Sequence, residues 1–268
     1  MRIIRYRDGA GAVRYGVAGA DGAYWRAEGD PFEELRETAE AADLQQWLAP
    51  VEPTMIWCIG QNYRAHSQEV GMTIPDWPVV FAKGPHTAIG HGQAIEVPRY
   101  GRTDEVDYEA ELVVVIGKRC KNVTREQALD YVLGYTCGND VSARDWQLKT
   151  GGGQWCRGKT FDTFAPMGPC LVTTDEIGDA AGLRVETQVN GKTMQHGNTR
   201  DMIFDVRFLI EFLSKSTTLS PGTVIFSGTP PGVGMAQKPP VWLKEGDTVS
   251  VTVEKIGMLT NPVKNECA

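Results

Sequence analysis

The stretch DYEAELVVVIG, residues Asp107 to Gly117, decides how this sequence is expected to fold. Its β-branched run, residues 113–116, ends at a glycine and is typical of a buried β-strand. Glu109 and Glu111 stand at the start of that run. Side chains two positions apart on a strand point to the same face, so two carboxylates are expected side by side on a strand that is otherwise apolar.

Two carboxylates that share a partly dry face need a shared proton or a cation between them. A hard divalent ion such as Mg²⁺ or Mn²⁺ takes oxygen ligands of this kind. Asp140, in GYTCGNDVSARD, is the best candidate for a third ligand, because it follows an apolar run and precedes a polar, arginine-containing segment. The spacing alone leaves a second interpretation open, in which Glu109 and Glu111 line a solvated strand edge.

Composition restricts the class of protein. The chain has 268 residues, 41% of them hydrophobic, which is enough for one large domain with a small appendage. A net charge of -7 and a pI near 5.2 argue against nucleic acids and anionic membranes as partners. No stretch approaches the roughly 18 apolar residues of a membrane span, and MRIIRYRDGAG lacks the apolar core of a signal peptide. The six cysteines form no CxxC pair and no zinc-ligand spacing, so we expect reduced thiols in a cytoplasmic protein.

Short β-prone runs outnumber helical patterns along the chain. With abundant glycine and proline, this predicts a β-rich α+β fold rather than a doubly wound sheet. Residues 1–52 are expected to form a small N-terminal α+β domain. It would contain β-prone runs separated by Asp-Gly turns and then a helix or helical turns in PFEELRETAEAADLQQWL, residues 31–48. Residues 53–268 are expected to form the large domain.

Three local patterns in the large domain predict further elements. TREQALDYVLGY, residues 124–135, begins with a capping threonine, has glutamine three residues later, and predicts a helix. The Asn-Gly pair at 190–191 predicts a β-hairpin. DVRFLIEFLSKS, residues 205–216, is the best amphipathic helix in the sequence.

Three polar segments offer candidate active-site groups. In NYRAHSQEVGM, His66 and Glu69 share one face of a predicted helix, where a carboxylate can orient an imidazole that activates water. In RGKTFDTFAPMGP, Lys159 could bind a carboxylate or stabilise an enolate oxygen. SGTPPGVG, residues 227–234, could present backbone N–H groups to an anion. A solvated helix face, a surface lysine and a tight connection between strands are the respective alternatives.

The motifs in their order resemble the fumarylacetoacetate hydrolase superfamily. The resemblance covers about residues 55–260 and rests on GQNYRAHSQE, VVFAKGP, VDYEAELVVVIGK, GYTCGNDVSARDWQ, RGKTFDTFAPMGP, VNGKTMQHGNT and SGTPPGVG. It implies a mixed β-sandwich roll, which usually forms a homodimer, preceded by the small N-terminal domain that many members carry.

The resemblance also implies residue roles. The family binds Mg²⁺ or Mn²⁺ through a Glu-x-Glu pair and a later aspartate, which match Glu109, Glu111 and Asp140. Its His–Glu pair lies on a mobile lid and matches His66 and Glu69. The other matching positions are an active-site lysine, three substrate-binding candidates and one variable position expected to contact the distal part of the substrate: Lys159, Arg144, Gln147, Thr229 and Gln61.

The implied function is metal-dependent hydrolysis of a C–C bond in a 1,3-dicarbonyl 2-oxo acid such as an acylpyruvate, a diketo acid of aromatic or sugar acid catabolism. His66, oriented by Glu69, would activate the water, and Lys159 would stabilise the enolate that leaves. Two alternatives use the same metal-enolate site: an oxaloacetate-type 2-oxo acid decarboxylase and a 2-hydroxydienoate isomerase. A binding protein with a degenerate site is the alternative from another class.

Overall fold

The protein is rich in β-strands. A computed structural model describes residues 1–19, 22–150 and 152–267. Strands account for 41% of the chain and helices for 16%, which confirms the β-rich α+β class.

The strands and helices are mostly short. In chain order the strands are β1 (Arg2–Arg7), β2 (Val13–Ala18), β3 (Tyr24–Gly29), β4 (Leu35–Ala41), β5 (Gln46–Trp47), β6 (Met55–Gly60), β7 (Val79–Lys83), β8 (Ala88–Ile89), β9 (Ile95–Val97), β10 (Val106–Asp107), β11 (Ala110–Ile116), β12 (Val132–Asn139), β13 (Ser142–Ala143), β14 (Ala165–Thr173), β15 (Arg184–Val189), β16 (Lys192–Asn198), β17 (Thr223–Phe226), β18 (Thr248–Val253) and β19 (Gly257–Asn265). The α-helices are α1 (Arg64–Glu69), α2 (Cys156–Lys159), α3 (Thr174–Ile177) and α4 (Val206–Ser214). Short 3₁₀-helices span Pro85–Thr87, Ala128–Tyr131, Thr199–Asp201 and Gly234–Ala236, and a short π-helix spans Trp146–Thr150.

Two sheets carry most of these strands. The larger one has the strand order β4-β3-β2-β1-β14-β12-β11-β17-β6-β7, and the smaller one has the order β16-β15-β18-β19-β9. One apolar cluster contains Leu112 and Val114 of β11 together with Val251 and Val253 of β18. The two sheets therefore share a core, as the mixed β-sandwich roll requires.

Strand β11 lies in the middle of the larger sheet and is buried on both faces. Leu112 and Val114 enter the core shared with the smaller sheet, whereas Val113 and Val115 enter a second cluster with Ile56 of β6. A strand covered on both faces needs a continuous apolar run rather than alternation. This explains the LVVVI run and confirms the predicted buried strand.

The N-terminal residues extend the larger sheet, because β1 pairs antiparallel with β14. The helix predicted for residues 31–48 is wrong: β4 and β5 occupy that region. Asp30 closes a turn by accepting the Phe32 N–H at 2.8 Å, and β4 then pairs with β3. Cross-strand hydrogen bonds override the helical propensity of the glutamate- and alanine-rich stretch. The division at residue 52 into two domains stays a prediction.

The helix predicted for residues 124–135 is also wrong over most of its length. The structure has only the turn Ala128–Tyr131, after which β12 begins at Val132. Strand β12 pairs with β11 on one side and β14 on the other. These partners lie far away in sequence, so the local pattern did not reveal them.

The helix predicted for residues 205–216 and the hairpin at residues 190–191 are confirmed. Helix α4 begins after Asp205, whose side chain accepts the Phe208 N–H at 2.8 Å. Asn190 and Gly191 form the hairpin turn with positive φ angles of 52° and 78°. All six cysteines are free. Within the described ranges, no helix has the length and apolar character needed to cross a membrane.

Candidate active site

Three carboxylates meet at one buried point. Glu109 immediately precedes β11, Glu111 lies in that strand, and Asp140 directly follows β12. These strands are paired, with Ala110 opposite Asn139, and the Asp140 N–H donates to the Glu109 carbonyl at 2.9 Å. One carboxylate oxygen from each residue lies within 4.8 Å of the others. The register of two neighbouring strands thus assembles the set that the spacing indicated.

Two buried lysines contact this carboxylate cluster. Lys159 Nζ donates to Glu109 Oε2 at 2.8 Å and to Asp140 Oδ2 at 2.9 Å. Lys83 Nζ lies 2.6 Å from Asp140 Oδ1 and donates to the carbonyls of Val141 and Phe164. The sequence analysis missed Lys83. Its one signal was a lysine at the end of the apolar run VVFAK, two positions after a buried phenylalanine.

Arg144 is committed to carboxylates rather than free for a substrate. Its guanidinium lies 2.8 Å from Asp107 and 2.7 Å from Glu109, and it donates to Gln147 Oε1 at 2.9 Å. Burial lowers the pKa of Arg144, but Asp107 and Glu109 raise it by more, so the group stays charged. Arg144 and Gln147 lie in the site as expected, and their binding of substrate stays a prediction.

Asp107 is a second residue that the sequence analysis missed, although it begins the quoted stretch. It is fully buried and accepts the N–H groups of Gly234 at 2.7 Å and Met235 at 3.0 Å. It also accepts from Arg144 Nε at 2.8 Å. Asp107 therefore links the glycine-rich loop after β17 to the arginine of the site.

Asp107→Asn is expected to destabilise the fold by about 3 kcal/mol, because an amide N–H₂ would replace an oxygen that accepts from N–H donors, next to a buried guanidinium. Urea unfolding measures the loss. Asp145→Asn is the matched control, since Asp145 is less buried and, among the described residues, accepts only from Thr103 and Trp146. An equal or larger loss in the control would contradict the role given to Asp107.

Glu111 differs from the other two carboxylates because no cation in the described part of the chain pairs with it. One of its oxygens accepts the Gly228 N–H at 2.7 Å. Burial, Asp140 and Glu109 together raise the pKa of Glu111 well above its usual range. By contrast, Lys159 and Arg144 outweigh burial at Glu109 and lower the pKa of that carboxyl. A buried carboxylate without a cationic partner, beside two others, is a donor set that fits a hard divalent ion.

The charge balance of the site also fits a divalent ion and an anionic ligand. With all four carboxyls ionised, as a bound cation would require, four buried carboxylates face three buried cations and leave one net negative charge: Asp107, Glu109, Glu111 and Asp140 against Lys83, Arg144 and Lys159. A divalent cation would change this to one net positive charge. An acidic small molecule would then be attracted to the site.

The predicted His66–Glu69 pair lies on α1 but is not closed by a hydrogen bond. His66 Nδ1 is 3.6 Å from Glu69 Oε2, and this buried nitrogen has no hydrogen-bond partner among the described residues. Both Glu69 oxygens instead accept the Gly232 N–H, at 2.9 and 3.0 Å. Glu69 thus ties α1 to the glycine-rich loop.

A small, partly open cavity of about 30 Å³ lies beside these groups, and Glu69, Glu111 and Asp140 are not among its lining residues. Seven of the ten predicted site residues line it: Gln61, His66, Glu109, Arg144, Gln147, Lys159 and Thr229. Gln61 has a left-handed backbone with φ of 56°, and its amide lies 2.8 Å from Met72 Sδ. Thr229 donates to the Ala110 carbonyl at 3.0 Å and accepts from Gln195, so it also fixes the loop to β11. Buried Gln195 was missed, although it lies in the motif VNGKTMQHGNT on which the family resemblance rests.

Known proteins match this chain over most of its length. The family model described as "Fumarylacetoacetate (FAA) hydrolase C-terminal" matches residues 55–264, a range that contains all ten predicted site residues. The protein belongs to the fumarylacetoacetate hydrolase family. The family resemblance and the implied fold are thereby confirmed.

Three relatives of this family member have named activities. "Oxaloacetate tautomerase fahd2, mitochondrial" of Xenopus laevis is 48% identical over 217 residues, which cover 81% of this chain and 67% of that protein. A 5-carboxymethyl-2-hydroxymuconate delta-isomerase from Mycobacterium smegmatis is 39% identical with a TM-score of 0.85, and the match covers 99% of this chain and 100% of the other. A fumarylacetoacetate hydrolase from Exiguobacterium antarcticum is 37% identical with a TM-score of 0.88 and the same coverage.

These names bear on the expectations. The tautomerase and isomerase names support the alternative function more than the hydrolysis that was the main expectation. The chain belongs to a family of enzymes. Because the Xenopus relative is named as mitochondrial, the cytoplasmic location stays a prediction, as does the homodimer.

Proposed function

We propose that this protein is a metal-dependent enzyme that interconverts the keto and enol forms of a small 2-oxo acid such as oxaloacetate. The observation that carries the proposal is the 48% identity to a protein named oxaloacetate tautomerase over 81% of the chain. The buried site adds independent support, since Glu109 of the acidic cluster, the Lys159 ammonium and the His66 imidazole line one cavity, with Glu111 and Asp140 beside Glu109.

Glu109, Glu111 and Asp140 would hold the Mg²⁺ or Mn²⁺ ion. The bound ion would supply a Lewis acid that polarises the 2-oxo group and favours its enolate. Lys83 neutralises part of the charge of Asp140 from the side and leaves Glu111 without a cationic partner. The donor set does not distinguish between Mg²⁺ and Mn²⁺, because both ions take oxygen ligands.

Lys159 would stabilise negative charge on the substrate oxygen rather than act as a base. Burial lowers the pKa of Lys159, but Asp140 and Glu109 outweigh burial and raise it above its usual value. The ammonium therefore keeps its proton. It lies in the cavity wall, held by two carboxylates, where a developing enolate oxygen can accept a hydrogen bond from it.

His66 would carry the proton at C3. Conversion of enol to keto removes a proton from the enol oxygen and adds one to C3, so one titratable group near the substrate is sufficient. His66 lines the cavity, and its Nδ1 has no hydrogen-bond partner in the described part of the chain. An imidazole can give and take protons near neutral pH.

Hydrolysis has less support from this geometry. It needs a water activated by an imidazole that a carboxylate orients, and Glu69 is hydrogen-bonded to Gly232 instead of His66. Decarboxylation of oxaloacetate passes through the same enolate. It therefore remains the outcome against which the tautomerase has to be tested.

The test follows three reactions with the purified protein and Mn²⁺: loss of the ultraviolet absorbance of enol oxaloacetate, release of pyruvate from oxaloacetate, and cleavage of an acylpyruvate. We expect the enol to disappear faster than in buffer with the same Mn²⁺, without a matching release of pyruvate. Pyruvate formed in step with oxaloacetate loss would identify a decarboxylase. Acylpyruvate cleavage without faster enol loss would identify a hydrolase.

A further inference from the structure

The segment that carries His66 is an excursion between two adjacent strands. We call residues 61–78 the lid segment: it leaves β6, forms α1 and returns to β7. Because β6 and β7 are antiparallel neighbours, the segment leaves and rejoins the larger sheet at one edge. Gln61, His66, Val70 and Met72 from this segment line the cavity. Its position therefore determines where the imidazole lies.

The first end of the lid segment is fixed by Asn62. The Asn62 side chain donates to the carbonyls of Phe204 at 2.9 Å and Ser227 at 2.6 Å, and accepts the Phe204 N–H at 2.8 Å. Its own carbonyl accepts the Ile203 N–H at 2.7 Å. This end is thus held by the residues that lead directly into α4.

The second end of the lid segment is held by an aromatic contact. Trp77 stacks on Phe212 of α4, with ring centroids 6.1 Å apart and planes 23° apart. Trp77 is 62% exposed, so this ring is not part of the buried core. Since burial in the core does not hold the Trp77 ring, we attribute its position to the stack on Phe212.

Both ends lead to the same row of rings. Phe204 stacks on Phe208 at 5.3 Å, and Phe208 stacks on Phe212 at 6.3 Å, with interplanar angles of 20° and 13°. Phe208 and Phe212 are four residues apart on one face of α4. Phe204 lies just before the helix and extends their row. The opposite face of α4 is anchored in the core through Leu209, Ile210 and Leu213. The row is thus a rigid support.

We propose that Trp77 is a positioning residue for the reaction: its stacking on Phe212 holds the lid segment over the cavity and so fixes His66. Asn62 acts as the hinge at one end and Trp77 as the clasp at the other. The activity part of this proposal rests on the proposed function, whereas the position of the lid segment does not. Four lid amides report how firmly the segment is held, because Ser67, Val70, Gly71 and Met72 donate to carbonyls within it.

The test compares Trp77→Ala with Trp77→Phe, which keeps a stacking ring. In Trp77→Ala, we expect amide hydrogen exchange in residues 64–72 to accelerate about threefold to tenfold, the factor that corresponds to one lost aromatic stack. Because His66 would carry the proton, kcat for enol oxaloacetate should fall by a similar factor, with KM changed less than about twofold. Trp77→Phe should restore most of both values. Tyr100→Ala, which removes an aromatic side chain that is 78% exposed and lies away from the cavity, is the control.

Unchanged exchange in Trp77→Ala would overturn the proposal, as would exchange that accelerates equally in Trp77→Phe. Because Trp77 is largely exposed, its replacement leaves the buried core intact, and we expect the variants to fold. Accelerated exchange in a protein without activity on oxaloacetate would support the clasp and contradict the proposed function. The two failures are therefore distinguishable.

Discussion

Glu111→Gln is expected to make the metal-free protein more stable while weakening Mn²⁺ binding by about 100-fold or more. Glu111 is a buried carboxylate whose only hydrogen bond among the described residues comes from Gly228. Glutamine keeps an oxygen for that N–H and removes the charge that Asp140 and Glu109 oppose. We expect a gain of about 1–3 kcal/mol in the free energy of unfolding at pH 8 in EDTA.

The stability advantage of Glu111→Gln over the parent is expected to depend on pH. Burial, Asp140 and Glu109 raise the pKa of Glu111, so the folded protein keeps a proton that the unfolded chain releases once the pH passes the usual carboxyl pKa. The unfolded state then binds fewer protons, and the stability of the parent falls as the pH rises from that value towards the raised pKa. Glu111→Gln lacks this part of the fall, so its advantage grows with pH and vanishes in acid.

Thermal unfolding in EDTA at several pH values, with isothermal titration of Mn²⁺, checks both parts. Glu211→Gln, at a less buried position on α4, is the matched control and should change neither quantity. A Glu111→Gln protein that binds Mn²⁺ like the parent, or is less stable than the parent at every pH, would remove the basis for the metal site.

His66→Ala should lower kcat for enol oxaloacetate by about 10²–10⁴-fold, the usual contribution of a general acid or base. Its Mn²⁺ affinity should stay within about twofold of the parent, because Glu109, Glu111 and Asp140 are unchanged. Stopped-flow absorbance gives the rate, and titration calorimetry gives the affinity. His86→Ala removes an exposed imidazole outside the cavity and should leave both unchanged. Parent-like kcat in His66→Ala would transfer the proton step to another group.

Much of the site follows from short-range information. The period of two along a strand brings Glu109 and Glu111 together, and the apolar run after them places that strand in the interior. The ordered motifs then identify Lys159 and His66 as members of the same cavity. The residues that support these groups were harder to find.

The missed supports are set by contacts between distant parts of the chain. Lys83 donates to Val141, 58 residues away, and Gln195 reaches Ala110, 85 residues away. The local sequence around Lys83 and Gln195 does not predict their burial, because a lysine after an apolar run and a glutamine in a hairpin are common on protein surfaces.

The two wrong helices have the same cause. Residues 31–48 and 124–135 have good helix formers and capping residues, but both are drawn into the larger sheet: β4 forms a hairpin with β3, β5 pairs with β1, and β12 pairs with β11 and β14. The sequence pattern predicted α4 correctly, because a helix forms its backbone hydrogen bonds within its own segment and its apolar face follows from local spacing.

The proposed function depends above all on the Glu109–Glu111–Asp140 cluster, which would hold the ion needed for enolisation. The most direct test measures the rate of enol oxaloacetate loss while Mn²⁺ is returned to EDTA-treated protein, with the rate in protein-free buffer subtracted at each Mn²⁺ concentration. We expect the rate to rise and saturate near one Mn²⁺ per chain, and we expect no such rise in Glu111→Gln. A full rate in EDTA, or the same titration curve in Glu111→Gln, would contradict it.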